Sequence, residues 1–340
     1  MKAVVLNQSN STLETKEVPT PALSDSAILI KLKSAALNHH ELWSLQENKL
    51  RSDENIIMGS DGAGIIEGIG ADVSGFNIGD EVILNPSLYW GPNEKVQGPD
   101  YQILGFPTQG TFAEYISISS EYVYAKPKHL SLEEAAALPL AGLTAYRALF
   151  NRGGCVQDSK VLITGIGGGA ALFTLHFAVA SGAQAYVTSS SQEKIRKAVN
   201  LGANGGVIYC NTDWDQELKT LCDGFDVIVD SAAGNGFSKL LDLAQPGASI
   251  AMFGRTAGNM TDLSPSSIFW KQLSIHGTTM GTAEEFEGML RLVSSKQIFP
   301  VIDSVYPARD IGLAFEKMEK AEQFGKIVIN MEELTDCEAG

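Results

Sequence analysis

VLITGIGGGAALF, residues 161–173, carries the reading that decides the fold. An apolar run, Val161 to Ile163, leads into the glycines Gly165, Gly167, Gly168 and Gly169, and an apolar helix-like stretch follows at once. The spacing is G-x-x-G-x-x-A, from Gly165 through Gly168 to Ala171. Glycines allow a tight turn and a close backbone approach, and a small alanine lets the helix pack against the strand. A helix beginning here would turn free N–H groups and the positive end of its dipole toward a pyrophosphate. A glycine turn in isolation says little, so its neighbourhood matters.

Outward from this turn, short apolar strands alternate with helices. AYVTS (185–189) precedes a charged helix from about residue 192, and GVIY (206–209) precedes WDQELKTL. FDVIVD (225–230) precedes FSKLLDLA, and SIAMFG (249–254) follows. Uninterrupted apolar strands separated by helices indicate a parallel sheet covered on both faces. The segment is therefore read as a doubly wound, Rossmann-type dinucleotide-binding domain over residues 131–281. Its entrance is SLEEAAALPLAGLTAYRAL, where Ser131 and Glu134 form a capping-box pattern.

Residues 1–130 have a different texture. KAVVL, AILIKLKSAAL with Ile28, Ile30 and Leu32 in alternation, GIIEGIG and EVILN are strand-like and punctuated by glycine and polar turns. They predict a compact β-barrel-like domain, and after residue 281 helix-like EEFEGMLRLVSS and strands near VIDSVY and GKIVIN follow. The stretch 86–110 reads as a long loop, and MEELTDCEAG (331–340) as a mobile acidic tail. The 340 residues suffice for two cores, and a net charge of -15 argues against nucleic acid or an anionic membrane as partner. The N-terminus has no signal-peptide pattern and no apolar run reaches about 18 residues, so a cytoplasmic location is expected. Cys155, Cys210, Cys222 and Cys337 form no C-x-x-C pair and are read as reduced thiols.

The end of the second strand of the nucleotide domain bears on the choice of dinucleotide. An acidic residue there binds the ribose 2′-OH of NAD, whereas this chain has Ser189. Ser189 and Ser190 can donate hydrogen bonds to a 2′-phosphate, with Lys194 one helical turn away, so NADPH is expected as cofactor. Ser191 equally reads as a helix cap and Lys194 as a solvated charge. Phe253 and Gly254, after the fifth strand, are expected near the cofactor ribose.

Over nearly its full length the chain resembles the medium-chain dehydrogenase/reductase superfamily. The marks are AALNHHELW (35–43), the frame Gly59, Gly64, Gly70 and Val73, Gly79 to Val82, GTFAEY (110–115), the glycine turn and QFGKIVI (323–329). AALNHHELW, GSDGAG, NPSLYWG and TSSSQEK look most like its zinc-type alcohol dehydrogenase-like and quinone oxidoreductase-like branches. The resemblance implies a GroES-like catalytic domain from residues 1–130 and 282–340, with the Rossmann domain inserted between. It implies a homodimer in which LSIHGTTMG edges the Rossmann sheet. It also implies that Thr144 lies near the nicotinamide and that Lys326 contacts a cofactor phosphate.

The zinc enzymes of that superfamily hold their metal with a Cys, a His and a further Cys or acidic residue. The aligned positions are Asn38, Ser60 and approximately Leu140. An amide, a hydroxyl and an alkyl group do not replace thiolates and imidazole around zinc, and 86–110 lacks the structural cysteines, so no metal is expected. Without a Lewis acid, hydride transfer suits quinones, enones or activated aldehydes better than simple alcohols. By this resemblance Asn38 and Trp43 line the nicotinamide pocket. Asn38 and Ser60 are candidate donors to a developing oxyanion, and Trp43 a flat wall for a planar substrate. His40 aligns with the residue that begins a proton relay and is a candidate proton donor, or else part of a structural pair with Glu41. Two other readings stay open: an alcohol dehydrogenase or aldehyde reductase, and an NADPH-binding structural or regulatory protein with little turnover.

Overall fold

The computed structural model describes residues 1–7, 12–47, 56–105 and 107–334. The chain divides into two compact units. One runs from Met1 to Leu140 and resumes at Gly281; the other is Ala141–Met280. The cut after Leu140 assigns the capped helix Leu132–Ala136 to the first unit, where it packs on the strands Ala27–Ala36 and Asp61–Ile69. The entrance segment placed with the nucleotide domain on sequence therefore belongs in part to its neighbour. Both halves of the Ser131–Glu134 capping box are present. The apolar run that follows does not form one helix. Pro139 lacks an N–H and restricts Leu138, and a second helix, Pro139–Tyr146, starts there.

The second unit contains a six-stranded, all-parallel sheet. In spatial order its strands are Gly205–Ile208, Gln184–Ser189, Lys160–Ile163, Phe225–Asp230, Ala244–Met252 and Ser274–Gly277. The glycine-turn strand lies inside the sheet, flanked by the second and fourth strands of the unit in chain order. Val161, Leu162, Ile163 and Val187 are buried, as the continuous apolar runs require when helices cover both faces. The edge strand Ser274–Gly277 follows the exposed Phe269 and Trp270.

The first unit is built on a seven-stranded, mostly antiparallel sheet. Its central strand, Ala27–Ala36, pairs with Asp61–Ile69, with Tyr115–Ser119 and with the late strand Lys326–Asn330. Ile28, Ile30 and Leu32 all point into the core, as their alternation predicts. A smaller antiparallel sheet joins Lys2–Asn7 with Thr12–Glu17 and Ile56–Ile57. The stretch 86–110 includes a short hairpin, Ser87–Leu88 with Gln102–Ile103. Trp90 holds this loop from within: its indole N–H donates to the Asn93 carbonyl and its ring meets Tyr101 edge-on. Tyr89 is exposed.

The acidic tail needs a correction. Met331–Leu334 form a 3-10 turn with Met331 and Leu334 buried, so two apolar side chains dock the start of the tail. Its remainder, Cys337 included, lies outside the described residues.

Candidate active site

Register in the first unit brings distant residues to one end of its sheet. Ala36 pairs with Asp61 on one side and with Val328 on the other. Continuing the second ladder, Leu37 N–H donates to the Ile327 carbonyl, which sets Lys326 level with Asn38. At this point the chain leaves the strand, and helix His39–Glu47 begins.

Four polar side chains meet there. Lys326 donates from Nζ to Leu37 O at 2.7 Å, Asn38 Oδ1 at 2.6 Å and Asp61 Oδ2 at 2.8 Å. The same Asp61 oxygen accepts from Asn38 Nδ2 at 3.0 Å, while Asp61 Oδ1 accepts from Leu140 N at 2.8 Å. Glu41 turns back over the helix start: Oε2 accepts from Asn38 N at 2.8 Å and Oε1 from Ser60 N at 2.9 Å. One carboxylate thus ties the AALNHHELW segment to the GSDGAG segment. Lys326, Asp61, Glu41 and Asn38 are all buried. Buried charges persist when paired or hydrogen-bonded: Lys326 and Asp61 pair with each other, and Glu41 accepts two backbone N–H bonds.

Ser60 differs from its neighbours. It is fully buried, and its Oγ has no hydrogen-bond partner among the described residues. A hydroxyl left unsatisfied inside a protein is costly unless something else completes it. Its neighbour Gly59 shows why the frame needs glycine. Gly59 has φ +101°, and a Cβ there would meet Thr111 Oγ1 at 2.5 Å and the Phe112 ring at 2.6 Å.

His39 and Trp43, one helical turn apart, bring their rings to 6.1 Å. His40 sits half-buried in the first turn, with its carbonyl accepting from Ser44 Oγ. Burial and the Lys326 ammonium both lower the pKa of His39. Burial also lowers His176, and burial with Arg152 lowers His276. An unfolded chain protonates these imidazoles near their ordinary value of 6.5, which the fold resists. Stability from this source is whole above pH 6.5 and is lost as the pH falls below it. Urea midpoints measured at pH 7.5 and pH 5.5 are expected to fall toward the acid side. Asp230, whose pKa burial raises, opposes that trend, because the folded state takes up its proton first as the pH falls.

In the second unit, Gly165 and Gly167 have φ +66° and +134°, and Gly168 precedes helix Gly169–Ala180 without a side-chain cap. The helix N-terminus therefore keeps backbone donors for a ligand. A Cβ on Gly168 would meet nothing within 4 Å, whereas one on Gly165 would press Ser231 Oγ at 3.1 Å. Thr188 Oγ1 accepts from Gly165 N and Thr188 O from Ile166 N, pinning the turn to the second strand.

Ser189 sits 2% exposed, with Oγ accepting from Ser191 N at 3.2 Å and lying 3.5 Å from the Ile166 carbonyl. It braces the glycine turn, so the expectation that it presents its hydroxyl to a phosphate needs correction. Ser190 is exposed and Lys194 half-buried. Ser191 Oγ caps the following helix by accepting from Lys194 N, as its sequence position predicts.

Thr164 and Asp230 do not stand out in the sequence. Thr164 donates to Asp230 Oδ1 at 2.6 Å and accepts from Ser231 N, while Asp230 Oδ2 accepts from Ala233 N. The signal was an acid closing the apolar run FDVIVD. Phe253 N donates to the Asp230 carbonyl, and Gly254 lies so close to the Ser231 carbonyl that a side chain would collide with it. The glycine turn, Ser231, Phe253 and Gly254 thus gather at the C-terminal ends of the parallel strands, where ligands bind in such sheets. Thr144 is buried in helix Pro139–Tyr146.

Family models match both units. The alcohol dehydrogenase GroES-like domain matches residues 24–128, and the zinc-binding dehydrogenase domain matches residues 169–295. A zinc-type alcohol dehydrogenase-like protein of Leptosphaeria maculans is 36% identical, with 94% of each chain covered. The chain belongs to the medium-chain dehydrogenase/reductase superfamily. This is a superfamily of oxidoreductases. An acryloyl-coenzyme A reductase of Sulfurisphaera tokodaii is 26% identical over 97% of this chain and 99% of its own. A solved structure of an NAD-dependent alcohol dehydrogenase superposes with a TM-score of 0.90 at 33% identity, covering 97% of this chain and 99% of the other.

Within the superfamily, the positions aligned with catalytic-zinc ligands do not fit a zinc ion here. The Asn38 oxygen faces an ammonium at 2.6 Å, and Leu140 offers this site a backbone N–H, already donated to Asp61. Ser60 contributes only a neutral hydroxyl. Zinc sites of this superfamily need thiolate, imidazole or carboxylate donors. No group of three or more His, Cys, Asp or Glu placed to hold a metal occurs among the described residues.

Lys326 also departs from the superfamily expectation. An ammonium has three N–H donors, and all three have acceptors within the first unit. In this arrangement it is a buried partner of Asn38 and Asp61 rather than a phosphate ligand.

Proposed function

We propose that the chain is a zinc-independent, NADPH-dependent reductase of quinones, enones or activated aldehydes. The observation that carries this reading is the Asn38–Asp61–Lys326 cluster, a hydrogen-bonded charge network built on Asn38, which aligns with one ligand position of the zinc enzymes. The glycine turn, Ser190 and Lys194 would hold NADPH, which would supply the hydride. Asn38 Nδ2 has a second N–H beyond the one given to Asp61, and Ser60 Oγ–H has no acceptor among the described residues. These two donors hold the carbonyl oxygen of the acceptor and stabilise the negative charge that hydride addition places on it. Trp43 supplies a flat apolar wall. For an enone, hydride adds to the β-carbon and a proton from solvent, delivered through His40, completes the α-carbon. For an aldehyde or quinone the proton goes to oxygen. A relative named as an acryloyl-coenzyme A reductase supports an activated alkene among the acceptors.

A second reading, alcohol dehydrogenase or aldehyde reductase, is favoured by the 36%-identical relative and by the NAD-dependent alcohol dehydrogenase structure. Initial rates separate the two. The proposal expects NADPH oxidation with an enone or o-quinone and negligible NADP+ reduction with the matching saturated alcohol. Alcohol oxidation at a comparable rate would favour the second reading. NADPH preference is tested by Ser190→Asp, which puts a carboxylate beside the 2′-phosphate. It is expected to lower kcat/KM for NADPH about tenfold relative to NADH. An unchanged ratio would remove Ser190 from the phosphate site. We further infer a homodimer through the edge strand Ser274–Gly277, beside the exposed Trp270, and a cytoplasmic location, in keeping with the free thiols Cys155, Cys210 and Cys222.

A further inference from the structure

We propose that Lys326 is a positioning residue for the carbonyl-binding amide of Asn38, an inference that rests on the reading of Asn38 given above. Three strands converge to make the arrangement. Asp61 arrives opposite Ala36, and Lys326 arrives level with Asn38 from the other side. The buried lysine ammonium is saturated by Leu37 O, Asn38 Oδ1 and Asp61 Oδ2.

The consequence for Asn38 is directional. Its oxygen is held on the ammonium and one of its N–H groups on Asp61. A flipped amide would set its NH2 against the lysine and its oxygen against the carboxylate, so the network fixes one orientation. The second N–H is then the group left to receive a ligand. A cation on the amide oxygen draws density from the nitrogen and strengthens that N–H as a donor. Asp61 stops rotation and balances the charge. Glu41 fixes the backbone of the same residue through Asn38 N, and that of Ser60 alongside it. Lys326 thereby acts through Asn38, without touching the acceptor.

The test is a double-mutant cycle between Lys326→Met and Asn38→Ala, read as kcat, KM and NADPH dissociation constant by fluorescence titration. Because Lys326→Met strands the Asp61 charge, Lys326→Met/Asp61→Asn serves as a second, charge-neutral variant. Lys326→Met is expected to lower kcat about thirtyfold with NADPH affinity within about twofold, and to lower it no further when Asn38 is already alanine. Losses that multiply would overturn the proposal, because Lys326 would then act independently of Asn38. Weakened NADPH binding with kcat unchanged at saturation would overturn it in favour of a phosphate contact.

The side-chain amide resonances of Asn38 give a readout separate from turnover. They are identified by their loss in Asn38→Ala, and both are expected to shift in the charge-neutral variant. Unmoved resonances would contradict the positioning role. Absence of turnover in the wild-type protein with every acceptor would instead count against the proposed function, and the resonances would still decide the positioning claim.

Discussion

Asn38→Ala is expected to lower kcat with an enone or quinone acceptor by about 10²–10³, the usual cost of removing one oxyanion donor. NADPH affinity is expected to stay within about twofold. The amide is held by Lys326 and Asp61 and is only 6% exposed, so its free N–H has one orientation in the wild-type protein. Its loss removes an interaction whose strength grows as charge develops on the acceptor oxygen, so kcat falls together with kcat/KM. Lys326 keeps Leu37 O and Asp61 Oδ2 in this variant, which limits the cost in stability. Stopped-flow decay of NADPH fluorescence at saturating acceptor measures the step. A kcat within twofold of wild type would remove Asn38 from the mechanism.

The largest loss of stability is expected from Asp61→Ala. Asp61 is fully buried, pairs with Lys326 at 2.8 Å and accepts from Asn38 Nδ2 and Leu140 N. Removing one member of a buried pair leaves an uncompensated charge, at a typical cost of about 3–5 kcal/mol. Lys326→Met is expected to cost a similar amount by stranding the carboxylate. Joining Lys326→Met with Asp61→Asn removes both charges, and this combination is expected to be more stable than either Asp61→Ala or Lys326→Met. Urea unfolding followed by circular dichroism gives the ranking. Equal midpoints for wild type and Asp61→Ala would mean that the pair does not hold the sheet end together.

Much of the nucleotide-binding unit was legible in the sequence, for a physical reason. A parallel strand buried on both faces must be apolar throughout, and FDVIVD and VLITG stand out against their charged neighbours. The same property hid the role of Ser189. With Tyr186, Val187, Thr188 and Ser189 all buried, no alternation showed which serine faced outward, and Ser190 is the exposed one. Pro139 could be read locally as a helix breaker, yet its effect on where the first unit ends depended on packing against strands about 70 and 100 residues earlier in the chain.

The Asn38–Asp61–Lys326 cluster was legible only in part. Asn38 and Ser60 stood out because residues of different chemistry occupy the positions of metal ligands. Lys326 did not, because a lysine in a short motif is read as solvent- or phosphate-facing. Only the registers Ala36↔Asp61 and Val328↔Ala36 place it beside Asn38. In the sequence Glu41 reads merely as a partner of His40, although its carboxylate joins two segments 19 residues apart.

The central claim is hydride transfer by hydrogen bonds in place of a metal. It is tested most directly by following NADPH oxidation by chelator-dialysed protein of verified metal content, with a planar o-quinone or enone as acceptor, before and after adding zinc. The account predicts full turnover without metal and no gain from zinc. Turnover that disappears on chelation and returns with zinc would contradict it.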